Sequence, residues 1–228
     1  MELAKLLDMH PGVTAVIGGG GKTTLLRTLG EELAEESRVL LCTTTKIFPF
    51  HDLPCAMTAE ELNSLRREHR LLCAGVPVPG TGKLTTPPVA MAELATWFDY
   101  VLVEADGSAQ RPFKAHASHE PVIPAEATQV ICVVGASGFG SPVAEAAHRP
   151  ELYARLAGVS VENTVTPETE AAVLRAEGLH HRIYVNQVET RQDLAAAEAL
   201  AALLDCPVLG GASTEGSISY ARSDSGSW

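Results

Sequence analysis

At 228 residues, with 46% hydrophobic and 20% charged content, the chain has the length and composition of one soluble α/β domain with a full core. A net charge of −11 argues against a nucleic-acid surface, which needs Lys and Arg to neutralise phosphates. No apolar run reaches the length of a bilayer span, and the start MELAKLLDMHPG has no signal-peptide core, so a cytoplasmic protein with no membrane partner is expected.

The first element in chain order is an apolar strand over residues 13–17. It runs into Gly18-Gly19-Gly20-Gly21-Lys22-Thr23-Thr24, which opens a helix over 22–37 with Leu25, Leu26, Leu29 and Leu33 on one face. A strand, a glycine turn and a helix opening on Lys-Thr form the layout of a phosphate-binding loop. Glycines allow several N–H groups to converge on an anion, the lysine reaches the β/γ-phosphates, and the threonine hydroxyl ligates Mg²⁺. The usual spacing G-x-x-x-x-G-K-[ST] would put glycine at position 16, where this chain has Val16. The loop is therefore a tightened variant, and its bland counterpart is a glycine-rich turn with an incidental lysine.

Further apolar runs at 38–43, 100–104, 129–134 and 182–186 predict buried strands, and helical patterns lie at 58–68, 89–98, 143–157, 167–177 and 190–204. Thr58 followed by Glu61 predicts a capping box. Alternating strands and helices predict an α/β, three-layer, P-loop NTPase-like domain over 1–212 with a mainly parallel sheet. Residues 71–88 carry Pro77, Pro79, Pro87 and Pro88, and read either as a small hairpin or flap insertion or as a surface loop. The Ser- and Gly-rich stretch 213–228 reads as a loose tail. The five cysteines are odd in number and scattered without a C-x-x-C pair, which argues against a disulfide framework or zinc ribbon; Cys42 and Cys132 read as buried small hydrophobes.

Four more motifs stand at strand ends. After 100–104 comes Glu104-Ala105-Asp106-Gly107, where Glu104 or Asp106 would hold Mg²⁺ together with Thr23, and Gly107 would let an N–H approach a γ-phosphate. After the second strand, Thr43-Thr44-Thr45-Lys46 offers hydroxyls and an ammonium for phosphate or metal-bound water; a Thr-rich turn is the alternative. Arg111 and Lys114 are candidates to stabilise transition-state charge, with Arg149 a further cation. His116-x-x-His119-Glu120 lacks the helical flanks of a zinc motif. After 182–186, Asn186-Gln187-Val188-Glu189 sits where guanine-binding NTPases carry N-K-x-D, so Asn186 and Glu189 are candidates for the base, or Asn186 for a cap.

With IGGGGKTTLL, CTTTKI, VLVEADGSAQRPFKA, HEPVIP, HRPE and VNQVE in this order, the chain resembles the YqeC family over about residues 10 to 212. Glu189 and His116 stand where the family commonly has Asp and Pro. The resemblance implies a P-loop fold and an accessory role for selenium-dependent molybdenum hydroxylases, in maturing a selenium-containing molybdenum cofactor. A hydroxylase or a cofactor-maturation protein would then be a partner. The expected function is a Mg²⁺-dependent nucleotide-binding protein, an NTPase acting on ATP or GTP. Two other classes stay open: a phosphotransferase acting on a selenium or cofactor precursor, and a non-catalytic nucleotide or cofactor carrier.

Overall fold

The computed structural model describes residues 2–211 and 220–223, which divide into two compact units. The first takes the residues up to 16, 23–107 and 121–129; the second takes 17–22, 108–120 and those from 130 onward. The class is the expected one, α/β with a mainly parallel central sheet of three-layer, P-loop-like character.

In the first unit the strands follow the order Gly12–Gly18, Tyr100–Glu104, Val39–Thr43, Leu71–Ala74, Cys55–Ala56, all parallel. Tyr100–Glu104 is buried between two neighbours, which explains its unbroken apolar run. Register places Val16 and Thr43 level with Glu104, so three strands end their pairing around one carboxylate. The helix Lys22–Ala34 buries Leu25, Leu26, Leu29 and Leu33, the face read from the sequence. Gly30 lets it approach the sheet closely, since a Cβ there would press on Leu41 and Leu71. Leu62 of the helix Ala59–Glu68 and Leu94 of Met91–Trp97 join Leu40, Leu72, Val101 and Val103 in one apolar cluster. The Thr58–Glu61 capping box is present with both bonds made.

In the second unit Ala127–Gly135, mostly within it, pairs in parallel with Arg182–Asn186, which pairs with Val208–Gly211. Tyr220–Ser223 closes that edge antiparallel. Asn186 is level with Gly135, so these two strands also end together. The helix Pro167–Glu177 has the predicted bounds, capped by Thr166, and Arg191–Ala202 is capped by Thr190.

Three expectations need correction. The helix expected over 143–157 is two helices, Val143–Ala146 and Pro150–Ala157, separated by the bridge-forming pair Ala147–His148 and by Arg149 in the left-handed region. Pro150 is the cause: it lacks an N–H and disfavours α geometry in the residue before it, so a new helix starts there. Within 71–88, Leu71–Ala74 is a full strand of the sheet, and the hairpin is confined to Pro77–Val78 and Lys83–Leu84. Of the tail expected over 213–228, residues 213–219 and 224–228 lie outside the described residues, while Tyr220–Ser223 is a strand rather than loose chain.

Candidate functional site

The glycine loop belongs largely to the second unit, and its conformation depends on glycine. Gly20 and Gly21 have φ of +72° and +119°; a Cβ on Gly20 would land on the Gly135 backbone, and one on Gly21 on the Asn186 amide. The Gly19 N–H donates to the Val133 carbonyl at 2.9 Å and the Gly20 N–H to the Arg111 carbonyl at 3.0 Å. These two loop N–H groups are thus bonded to protein carbonyls. The anion-facing part of the loop narrows to the start of the helix Lys22–Ala34, whose leading N–H groups have no partner within the helix. Lys22 is buried, and its ammonium donates to the Gly18 carbonyl at 2.7 Å, folded back over the loop.

In the first unit, the Thr23 hydroxyl donates to Glu104 Oε2 at 2.8 Å across 81 positions of sequence. Thr23 is exposed, whereas Glu104 is 7% exposed at the end of its strand. The backbone of Glu104 is held by its neighbours: its carbonyl accepts from the Thr43 hydroxyl at 2.7 Å and from the Thr44 N–H at 3.2 Å. The Thr44 hydroxyl donates to the Val122 carbonyl at 2.6 Å, and the Thr45 hydroxyl lies 3.2 Å from that of Thr43. These threonines, read from sequence as phosphate contacts, fix the strand end that presents Glu104. Lys46 and Thr24 are exposed, and Asp106 is fully buried just beyond the strand.

The other candidates lie in the second unit. Arg111 is exposed, and its peptide carbonyl rather than its side chain touches the glycine loop. Lys114 is buried, with its ammonium 3.0 Å from Glu120 Oε2, and Arg149 bonds the other Glu120 oxygen at 2.7 and 2.9 Å. Burial pushes the Glu120 carboxyl up, but the bonds from Lys114 and Arg149 outweigh it, and the group sits below its ordinary range. His116 bonds both carboxylate oxygens of Glu177, at 2.6 Å through its N–H and 2.8 Å through Nδ1. No group of three or more His, Cys, Asp or Glu among the described residues could hold a metal ion by itself.

Asn186 is 4% exposed, and its amide donates to the Gly20 carbonyl at 2.8 Å. It supports the glycine loop. Gln187 adopts φ of +64° and accepts from the Ser137 hydroxyl at 2.7 Å, while Glu189 is exposed, with its N–H on Asp193. Gly135 was missed in the sequence: a Cβ there would lie 2.8 Å from the Pro112 ring and 3.0 Å from Gly20 Cα. Its signal was a glycine closing the long apolar run of Ala127–Gly135.

The YqeC protein family model matches residues 14–151, a span holding the glycine loop, Thr43–Lys46, Glu104, Asp106 and the residues from Arg111 through Arg149. The chain belongs to the YqeC family. A YqeC relative, Uncharacterized protein YqeC of Escherichia coli (strain K12), is 34% identical over 175 residues, covering 73% of this chain and 68% of the relative. Asn186 and Glu189 lie beyond the span matched by the YqeC model.

Proposed function

We propose that this chain binds a nucleoside triphosphate with Mg²⁺ and hydrolyses it. The observation that carries the reading is the 2.8 Å bond between the Thr23 hydroxyl and Glu104, with Lys22 the residue before Thr23. One hydroxyl and one carboxylate are hard oxygen donors. They suit Mg²⁺, which keeps most of its coordination for water and phosphate oxygens and needs no all-protein cage. Thr23 and Glu104 would hold the ion, whose chemistry there is to neutralise charge on the β- and γ-phosphates.

The protein's own contributions are positioning and charge. N–H groups at the start of the helix Lys22–Ala34 hold phosphate oxygens. The Lys22 ammonium, which donates to the Gly18 carbonyl beside the helix start, would turn to the phosphates and neutralise their charge. The Thr43 and Thr44 bonds to the Glu104 carbonyl keep the strand end in place, so little reorganisation accompanies binding. The client role belongs to the proposal through the family resemblance: turnover would serve maturation of a selenium-containing molybdenum cofactor, with a hydroxylase or a maturation protein as partner.

Lys22→Ala tests the reading. Titration calorimetry with MgATP and MgGTP is expected to show binding by the parent protein and none by the variant; unchanged affinity for both would sink the assignment. A thermal-shift panel of ATP, GTP, CTP and molybdopterin nucleotides then identifies the ligand class.

A further inference from the structure

Cys55 and Cys73 are direct register partners on the neighbouring parallel strands Cys55–Ala56 and Leu71–Ala74. Parallel neighbours lie about 4.8 Å apart, within the range that a disulfide spans between Cα atoms. The two side chains leave the same face of the sheet as register partners, so their thiols face each other. The strand Cys55–Ala56 is the outermost of its unit, which leaves Cys55 half-buried, while Cys73 is 1% exposed. Cys73 is anchored by its N–H on the Pro54 carbonyl at 2.8 Å. One thiol meets solvent and the other waits behind it.

The remaining cysteines lack this arrangement. Cys42 is wholly enclosed, and burial pushes its thiol up to about 12. Cys132 is 4% exposed. Cys206 is half-buried like Cys55, but burial raises it and no second cysteine faces it. At Cys55 the facing Cys73 thiol favours the thiolate and outweighs burial and the nearby Glu61 carboxylate, so the thiol lies below its ordinary range. Cys73 is correspondingly raised, which keeps its proton on it until it acts.

We propose that Cys55 and Cys73 form a reversible dithiol–disulfide site that reacts with hydrogen peroxide, Cys55 attacking and Cys73 resolving. The Cys55 thiolate takes one peroxide oxygen as the O–O bond breaks; its former proton leaves with the other oxygen as water, and Cys55 becomes a sulfenic acid. The Cys73 sulfur then displaces hydroxide from the Cys55 sulfur. The S–S bond forms as the S–O bond breaks, and the Cys73 proton makes the second water. Two thiols are oxidised by two electrons, and one peroxide is reduced to two waters.

The site is independent of nucleotide binding and is tested on the unmodified protein. Trypsin cuts after Arg66, Arg67 and Arg70, so the two cysteines fall on separate peptides. After hydrogen peroxide treatment and digestion without reductant, mass spectrometry is expected to find these peptides joined with loss of two hydrogens, and separated by dithiothreitol. Before oxidation, iodoacetamide is expected to label Cys55 roughly tenfold faster than Cys206. Cys73→Ser should leave a Cys55 sulfenic acid that dimedone traps, and Cys55→Ser should abolish both readouts. Labelling of Cys55 no faster than Cys206, or oxidation without the joined peptide, would overturn the proposal; both are read on the parent protein, so a folding defect in either variant does not obscure them.

Discussion

Among the described residues, Glu104 and Glu170 are buried carboxylates that each accept a hydroxyl bond at 2.8 Å, and they sit in opposite circumstances. Glu104 accepts from Thr23, and Glu170 from Tyr153. Glu104 ends a strand, and its partner hydroxyl belongs to an exposed residue at the first turn of a helix. Glu170 is 2% exposed on the inner face of Pro167–Glu177, beside Ala171, Val173 and Leu174, and its partner Tyr153 is fully enclosed. Burial of the acid is therefore no guide to function. The difference lies in the partner: an accessible hydroxyl leaves room for a ligand to join the pair, and an enclosed one closes it into the core.

The comparison breaks most sharply under charge-neutral substitution. Glu104→Gln is expected to cut Mg²⁺-dependent nucleotide turnover by about 10²–10³-fold, the cost of losing one preorganised charged contact, with unfolding free energy within ~1 kcal/mol of the parent. Glu170→Gln is expected to leave turnover within ~3-fold, since it changes only an enclosed pair. Steady-state kinetics and urea unfolding on both variants decide the matter. Loss of turnover in Glu170→Gln with none in Glu104→Gln would reverse the assignment.

A second separation is by pH. Burial, more than any other influence, lifts the Glu170 carboxyl from 4.5 to about 8; the Tyr153 bond opposes this, Glu177 adds to it and His116 opposes it. The folded state therefore holds a proton that the unfolded chain has already released. Stability from this group is complete below pH ~4.5 and falls as pH rises through ~8, by up to ~5 kcal/mol. Urea unfolding at several pH values should show that decline in the parent and a flatter profile in Glu170→Gln. Equal slopes in both would mean that Glu170 ionises inside the fold as readily as outside it.

Much of this was legible in the sequence, and the reasons differ by residue. The five apolar runs and the Thr58 capping box are local patterns, and the structure has them. Leu71–Ala74 reads from sequence as part of a hairpin or surface loop because the prolines after it dominate the stretch, and Val208–Gly211 gives no strand signal because half of it is glycine. Lys22, Thr23 and Glu104 were named because loop and strand-end residues follow from local order. Their detailed bonding was not, because it depends on which strands are neighbours. Nothing local shows that the Thr44 hydroxyl meets the Val122 carbonyl, 78 residues away, or that Asn186 reaches Gly20, 166 residues back.

The smallest expected effect is at Asn186. Its amide bond to the Gly20 carbonyl makes it a support for the loop rather than a reader of the base. A neutral hydrogen bond contributes about 1 kcal/mol, so Asn186→Ala should weaken MgATP and MgGTP by a similar factor, about 3- to 10-fold, and leave their ratio unchanged. Base recognition makes the contrary forecast: losing a base contact weakens one nucleotide and spares the other. Glu189→Gln belongs in the same experiment, because Glu189 is exposed with its N–H on Asp193 and is expected to change neither affinity. A shift in the ATP to GTP ratio in either variant would return these two residues to the base. An equal loss in Asn186→Ala alone would fix Asn186 as the residue that holds the glycine loop in shape from the end of its strand.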